Sequence, residues 1–185
     1  MKKIISVLLC VCLVCCFAAA AFADEPVHEY RKDAFLVPLP EGDWYELERQ
    51  PRSTYFYDNP ERTANERMIV LLQEKLEDDP AFSDSMVDVL YDGIMEGMSA
   101  PENVSEMEHE PSELAGHYAR RYSYKLQVGQ KVYLFAGNCV CIDGYVLVIG
   151  FMDTSMNPEE LNAAVDEMSR NAVFDPDGNF DAGQE

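Results

Sequence analysis

The sequence predicts an α/β (α+β) fold, a three-layer α/β/α sandwich in which helices cover both faces of a mostly antiparallel meander sheet. Two apolar strands, at 130–142 and 145–152, flank Asp143-Gly144, and a two-residue Asp-Gly loop is typical of a tight hairpin. Both faces of this hairpin are apolar, so both must be covered. Two segments in which apolar residues recur at helical spacing supply the predicted covers.

Four strands are expected before the first of these helices, because β-branched and aromatic runs alternate there with proline and glycine turns. They are predicted at residues 34–40, 44–47, 53–60 and 67–75. The preceding residues, 24–33, are polar, and we expect them to form a flexible N-terminal segment.

The first helix is predicted between Ser83 and Pro101. Ser83 or Ser85 is the expected N-cap, and Pro101 ends the helix. Five apolar residues share one helical face, namely Val87, Leu90, Tyr91, Ile94 and Met98.

Two further strands are predicted at 103–110 and 114–126, ahead of the hairpin. In the second of these strands, His117, Ala119, Arg121 and Ser123 alternate with Tyr118, Arg120, Tyr122 and Tyr124. With Ile142 opposite Tyr145, the hairpin places Leu134, Val140, Leu147 and Ile149 on one face, and Phe135, Cys139, Cys141, Val146 and Val148 on the other.

The last helix has a well-marked start. Asn157 is the expected N-cap, Pro158 occupies the first helical position, and Glu159 and Glu160 favour the positive end of the helix dipole. Its buried stripe is predicted to consist of Leu161, Ala164, Val165 and Met168. Val173-Phe174 is then expected to dock against the core.

The first 23 residues have the pattern of a secretory signal peptide. Lys2 and Lys3 precede an uncharged, mainly apolar stretch, which ends in the small-residue cleavage pattern Ala21-Phe22-Ala23. We therefore expect an exported protein, secreted or otherwise extracytoplasmic, whose mature chain starts at Asp24 and is not inserted in a membrane. A retained membrane anchor and a lipoprotein lipidated at Cys16 are the alternatives.

Residues 34–174 are expected to form a single domain, and 175–185 an acidic C-terminal tail. The full chain has 14 basic and 34 acidic residues. Since Lys2 and Lys3 leave with the leader, the mature chain has a net charge of −22. Such a charge repels nucleic-acid backbones and anionic lipids and attracts divalent cations or basic partner surfaces.

The first domain strand has the pattern F-x-V-P-x-P-x-G-x-W, which contains Phe35, Pro38, Pro40 and Trp44. Together with the 142–145 hairpin and the closing Val173-Phe174, this pattern resembles the PsbP-like α/β/α sandwich family, which includes bacterial secreted and lipoprotein relatives of the DcrB type. The resemblance covers about residues 34–174. It implies a non-enzymatic domain that binds a protein or cell-envelope component, although a fold by itself does not fix function.

The tail opens like a calcium-binding EF-hand loop. Asp175, Asp177, Asn179 and Asp181 occupy loop positions 1, 3, 5 and 7. However, Phe180 stands at position 6, where the sharp turn requires glycine, and Glu185 falls at position 11 rather than at the bidentate position 12. We therefore predict a solvated acidic tail without a specific metal site, and weak calcium binding stays open.

Cys139 and Cys141 are the two cysteines that follow the leader, and on a strand they project from one face. A disulfide between them would be strained, so we expect buried free thiols. A redox role or an intermolecular disulfide is the alternative.

The segment Glu106 to Glu110 holds three glutamates and one histidine. On a strand Glu106, Glu108 and Glu110 share one face and His109 points away, which divides a possible ligand set. We predict a solvated acidic face that also discourages edge-to-edge pairing. His28 and His117 are the other histidines and have no ligand pattern of their own.

Aromatic residues are frequent early in the domain, at Trp44, Tyr45, Tyr55, Phe56 and Tyr57. We predict that they belong to the core, with a recognition surface as the alternative.

No recognised catalytic motif occurs in the sequence. It contains no G-x-S-x-G elbow, no phosphate-binding glycine pattern and no H-E-x-x-H helix motif. We therefore predict no catalytic, cofactor-binding or metal-binding residues, no cofactor and no enzymatic activity. A small-ligand or divalent-cation-binding module and a carboxylate-based hydrolase are the alternatives.

Overall fold

The computed structural model describes residues 25–46, 53–58, 67–75, 103–178 and 180. The predicted leader and the helix predicted between Ser83 and Pro101 lie outside these described residues. The same is true of Asn179, Asp181 and Glu185 in the predicted tail.

Ten strands and one helix are described. The strands are β1 (Glu29–Lys32), β2 (Phe35–Pro38), β3 (Tyr45–Glu46), β4 (Ser53–Tyr57), β5 (Arg67–Lys75), β6 (Glu108–Leu114), β7 (His117–Val128), β8 (Lys131–Ile142), β9 (Tyr145–Asp153) and β10 (Val173–Phe174). The helix α1 is Pro158–Asn171.

Seven strands form one antiparallel sheet in the order β3-β4-β5-β9-β8-β7-β6. The strands β6 to β9 follow one another as a meander, and β9 then pairs with β5. The predicted hairpin is confirmed, because Ile142 pairs with Tyr145 and the turn residues Asp143 and Gly144 have φ angles of 46° and 77°. These angles match the type I′ turn that an Asp-Gly loop favours.

The two faces of the sheet carry separate apolar clusters, as the alternation predicts. The first face includes Ile69, Leu71, Ala136, Val140, Leu147 and Ile149. The second face includes Val70, Leu72, Phe135, Cys139, Val146 and Val148. Because both faces are buried, the central strands carry apolar residues on each side instead of alternating apolar with solvent-exposed polar residues.

Helix α1 covers part of the first face. Leu161, Val165 and Met168 are buried there, and Ala164 packs partly buried beside them, which confirms the predicted stripe. The predicted N-cap is also confirmed: the side chain of Asn157 accepts a bond from the backbone N–H of Glu160, whose carboxylate accepts the N–H of Asn157. This reciprocal capping box satisfies two donors that a helix start otherwise leaves unpaired.

A small sheet also packs on the first face of the main sheet, beside α1. This sheet has the order β1-β2-β10, so the strand predicted at 34–40 pairs outside the main sheet. The sequence predicts no strand in residues 24–33, yet β1 lies there and Tyr30 is only 1% exposed. Tyr30 is a single aromatic residue among charged neighbours, and its burial depends on the partner strand β2.

Helices were predicted to cover both faces of the sheet, and among the described residues a helix is seen on the first face only. Within the described part of the chain, α1 is the one helix, and the structure is mainly antiparallel sheet. The helix predicted between Ser83 and Pro101 falls outside the described residues. None of the described residues forms a helix that is long and apolar enough to cross a bilayer.

The strand bounds predicted at 103–110 and 114–126 are wrong by several residues. The observed strands are β6 and β7, joined by a tight turn at Ala115 and Gly116, whose φ angles are 50° and 77°. The turn was missed because alanine seldom adopts a positive φ and gives no turn signal. Residues 103–107 precede β6, and only Val104 forms an isolated bridge, with Leu126.

Candidate functional site

A small cleft opens where the edge of the main sheet meets the start of α1. Its volume is about 130 Å³, and residues from β6, β7, β8 and the first turn of α1 line it. Leu134, Ala136 and Leu161 form an apolar floor, since all three belong to the packing on the first face of the sheet. The cleft is therefore shallow and closed below by the core.

The rim of the cleft is polar. Register places Glu108 of β6 opposite Ser123 of β7, and Lys125 of β7 opposite Leu134 of β8. Asn162 projects from the first turns of α1 into the same rim. Three neighbouring elements thus contribute one carboxylate, one hydroxyl, one ammonium and one amide.

Two hydrogen bonds, one between backbone groups and one from a backbone N–H to a side chain, hold the segment before β6 against the cleft. The N–H of Ser105 donates to the carbonyl oxygen of Lys125 at 2.9 Å, and the N–H of Lys125 donates to the hydroxyl of Ser105 at 2.9 Å. These bonds place Glu106 at the rim, beside Glu108. The two carboxylates therefore come from a fixed loop and from the start of a strand.

An ion-pair network lies beside the cleft, two residues further along β6 and β7. The guanidinium of Arg121 donates to Glu110 from Nε at 3.1 Å and from Nη2 at 2.5 Å, and its Nη1 contacts Asp166 of α1. Burial disfavours the charged guanidinium, but the hydrogen bonds and charges of Glu110 and Asp166 outweigh it, so the pKa of Arg121 is raised. Arg121 thereby links the edge strand to the helix.

The rim carboxylates differ from Glu110 in their partners. Glu106 and Glu108 are exposed, and neither makes an ion pair with any residue that the structure describes. Lys125 is exposed as well and has no ion-pair partner in that part of the chain. The rim therefore presents two exposed carboxylates and one exposed ammonium.

The predicted division is confirmed for Glu108, Glu110 and His109, whereas Glu106 precedes β6 and does not belong to the strand. Glu108 and Glu110 share the first face of the sheet with Ser123 and Arg121, whereas His109 pairs with Tyr122 on the opposite face. Among the described residues, no group of three or more His, Cys, Asp or Glu side chains is placed to hold a metal ion.

The cysteines lie on the second face, away from the cleft. Cys139 is buried and Cys141 is half-buried, and both are free thiols that share one face as predicted. Burial, and to a smaller extent the charge of a neighbouring Cys141 thiolate, raise the pKa of the Cys139 thiol to about 12. Cys139 is thus a protonated core thiol at neutral pH.

The first residues of the predicted tail fold back onto the small sheet. The N–H of Asp175 donates to the carbonyl oxygen of Ala34 at 2.9 Å, and the N–H of Phe180 donates to that of Asp33 at 3.0 Å. The Asp175 carboxylate accepts the N–H of Asp177 at 3.1 Å, which is the local turn that aspartate favours.

Most of the early aromatic residues belong to the core. Trp44 and Phe56 are fully buried in the first cluster, and Tyr55 and Tyr57 are buried in the second. Tyr45 is half-buried. The indole N–H of Trp44 donates to the carbonyl oxygen of Pro40 at 2.8 Å, which satisfies its one polar atom.

Sequence reasoning did not identify Ser123, Lys125 and Asn162 as neighbours. Their meeting depends on the register between β6 and β7 and on the position of α1. The alternation that separates Arg121 and Ser123 from Tyr122 was visible in the sequence, but the misplaced turn hid their pairing with Glu110 and Glu108.

Comparison with solved structures finds the same architecture. The solution structure of cyanobacterial PsbP (CyanoP) from Synechocystis sp. PCC 6803 matches with a TM-score of 0.61 and 13% identity, covering 86% of this chain and 95% of that one. The chain therefore has a PsbP-like α+β fold, which confirms the resemblance seen in the sequence.

Two other matches are weaker. LpqN of Mycobacterium tuberculosis, described as involved in cell envelope biogenesis, matches with a TM-score of 0.49 and 16% identity over 86% of this chain and 93% of that one. PA94 of Pseudomonas aeruginosa matches with a TM-score of 0.47 and 16% identity over 80% of this chain and 96% of that one. Comparison of the sequence with family models and with curated proteins finds no match.

Proposed function

We propose that the chain is an exported, non-catalytic domain that binds a protein or cell-envelope component. The observation that carries this proposal is the cleft with its exposed rim carboxylates, at an edge of the sheet where a partner has access. We call the exposed strand β6, the loop before it and the first turns of α1 the edge surface. This surface offers an acidic rim around an apolar floor, a combination that suits a contact with a protein.

The edge surface favours side-chain contacts over the addition of a partner strand. Pro111 lies in the middle of β6 and has no N–H to donate to an added strand. Exposed glutamates at 108, 110 and 113 surround it. Proline and charge are the devices by which natural edge strands avoid pairing with another chain.

The size of the cleft suits a side chain of a protein partner better than a small-molecule substrate. A volume of about 130 Å³ is well below the ~300 Å³ at which small-molecule pockets begin. The cleft can admit one side chain of a partner but cannot enclose a metabolite. The Arg121 network beside it occupies Glu110 and Asp166, so these two carboxylates are already engaged in ion pairs.

Export is supported by the composition of residues 1–23. The mass of the mature N-terminus decides between the three forms of the product. A chain starting at Asp24 supports cleavage and release, a lipidated Cys16 supports a tethered lipoprotein, and an intact Met1 supports a retained anchor.

We also propose that the helix predicted between Ser83 and Pro101 covers the second face of the sheet. The support is that this face is apolar and buried, with Leu72 and Val148 each 1% exposed, while α1 lies on the other face. Deletion of residues 83–100 should then expose Cys139 to alkylation in the folded protein. A deletion variant that folds and keeps Cys139 protected would contradict this arrangement.

The binding function is tested by capture on the immobilised mature protein, followed by mass spectrometry of what is retained. The charge-removing variant Glu106→Gln with Glu108→Gln should lose the captured partner. The matched variant Glu41→Gln with Glu167→Gln removes the same charge from exposed sites elsewhere and should retain it. If no protein or envelope component is enriched over a column without protein, the proposal fails.

A further inference from the structure

We infer that the cleft takes a lysine or arginine side chain of a protein partner, with the methylene stem on the floor and the cationic head at the rim. This inference rests on the proposed function, because it names the chemistry that the edge surface recognises. It depends on the shape and lining of the cleft as well as on its charge.

The floor suits the stem of a long basic side chain. Half-buried Leu134 and exposed Pro158 supply the apolar surface that a partner can reach. Ala136 and Leu161, each 1% exposed, close the cleft beneath them. Lysine and arginine commonly lay their methylene groups along such apolar surface while the charged end stays in water. A short polar side chain would leave the floor uncovered.

The rim suits the head of that side chain. The carboxylates of Glu106 and Glu108 have no ion-pair partner among the described residues, and Ser123 and Asn162 add neutral oxygen acceptors. Hydrogen bonds from a cation to carboxylates are about twice as strong as neutral ones. Glu110, in contrast, is engaged by Arg121 and is not available to a partner.

Lys125 is the charge that opposes this occupant. It lines the same cleft and is exposed, so its ammonium competes with a partner cation for the rim carboxylates. Two carboxylates against one ammonium still leave the rim negative, and the whole chain has a net charge of −20. An anionic ligand would meet both the rim carboxylates and this overall field, so a cation is the better fit.

The test uses the isotopically labelled mature protein and four blocked amino acids as probes: the N-acetyl amides of lysine, arginine, norleucine and glutamate. Backbone amide signals are followed by NMR during titration. Saturable shifts confined to residues 105–108, 123–125, 134–136 and 161–162 are expected with the lysine and arginine probes. Norleucine, which has an apolar side chain of similar length, should bind more weakly, and glutamate should not shift these signals.

Two variants give opposite expected changes. Glu106→Gln with Glu108→Gln should weaken the binding of the lysine probe about fivefold, as the loss of two exposed ion pairs predicts. Lys125→Ala should strengthen it about twofold, since the competing ammonium is gone. The variant Glu41→Gln with Glu167→Gln should leave the affinity unchanged.

Three results would overturn the inference: shifts spread over the whole acidic surface, equal binding of norleucine and lysine, or binding that neither rim variant changes. Failure of this kind is distinct from failure of the proposed function. If the rim variant loses the captured partner but the cationic probes do not bind in the cleft, the edge surface still binds a partner by other contacts. If no partner is captured at all, the proposed function itself fails.

Discussion

The ring of Tyr122 lies across Gly137, its cross-strand neighbour on the second face of the sheet. A Cβ added to Gly137 would collide with the hydroxyl and ring of Tyr122 and with the carbonyl oxygen of Ile149. Gly150 of β9, which pairs with Gly137, is constrained as well. A Cβ added to Gly150 would lie 2.7 Å from Cγ1 of Val70 and 3.3 Å from the Tyr122 hydroxyl. Two glycines thus make room for one aromatic ring in the middle of the sheet.

The substitution Gly137→Ala should destabilise the fold by about 2–3 kcal/mol, because the backbone oxygen and the tyrosine ring cannot both move away. Gly129→Ala is the matched control. Nothing lies within 4 Å of a Cβ at Gly129, and its φ of 62° leaves only a conformational strain of about 1 kcal/mol. Chemical denaturation measures both free energies of unfolding, and equal losses would contradict the packing described here.

Cys139 should resist alkylation by iodoacetamide in the native protein, whereas half-buried Cys141 should react slowly. Burial keeps the Cys139 thiol protonated, and only the thiolate is reactive. Mass spectrometry of peptides after labelling, with and without denaturant, distinguishes the two sites. Rapid native labelling of Cys139 would show that the second face is open to solvent.

Because the pKa of Cys139 is about 12 in the folded protein, the folded state holds this proton more tightly than the unfolded chain does. The stability that the protonated Cys139 thiol contributes to the folded state is fully present below pH ~8.5, the usual pKa of a thiol. This contribution is lost as the pH rises towards the pKa of the thiol in the folded protein. The free energy of unfolding should therefore fall with rising pH in this window more steeply for the native protein than for Cys139→Ala. Parallel curves for the two proteins would refute the assignment.

Asp153 organises the approach to α1 and should be costly to remove. Its buried carboxylate accepts bonds from the N–H of Ser155 at 2.6 Å and of Met156 at 2.9 Å, and from Nε of Arg67 at 3.1 Å. Asp153→Ala should lower the free energy of unfolding by about 3 kcal/mol. Ser155→Ala removes only a hydroxyl bond and should cost about 1 kcal/mol. Thermal and chemical denaturation of both variants test the difference.

Pro111 should keep β6 from pairing with a second molecule. In a two-residue hairpin closed by Leu114 and His117, the backbone groups of Ser112 point towards β7 and the position of Pro111 points away from it. Pro111→Thr restores an outward N–H and should increase self-association, measured by sedimentation. Ser112→Thr, whose N–H points inwards, is the control and should remain like the native protein. No difference between the two would mean that the glutamates alone protect this edge.

Much of the fold could be predicted because local patterns and tertiary packing agree there. The pairing of Ile142 with Tyr145 follows from Asp143-Gly144, and α1 follows from Asn157, Pro158 and an apolar stripe. The turn at Ala115 and Gly116 could not be predicted in the same way. Ala115 adopts a positive φ because the flanking strands pair, and its N–H also donates to the carbonyl oxygen of Ser169 in α1.

The candidate site was less predictable than the fold. The alternation of Glu108 and Glu110 with His109 was visible along the chain, but their partners Ser123 and Arg121 depend on register. Register changes the neighbours of every side chain while it leaves the composition unchanged. Lys125 reaches the cleft through its register with Leu134 of β8, and Asn162 reaches it because α1 lies along β8.

The sequence by itself determined the sheet with two buried faces, the last helix with its Asn157 cap and the acidic balance, since these depend on spacing and composition within short segments. The tertiary structure alone decided that β1, β2 and β10 form a separate small sheet, that Tyr122 lies over Gly137, and that an acidic rim surrounds an apolar cleft. These features join residues far apart in the chain. Their neighbours are set by strand register and helix placement, which minimise exposed apolar area for the whole molecule and not for any one segment.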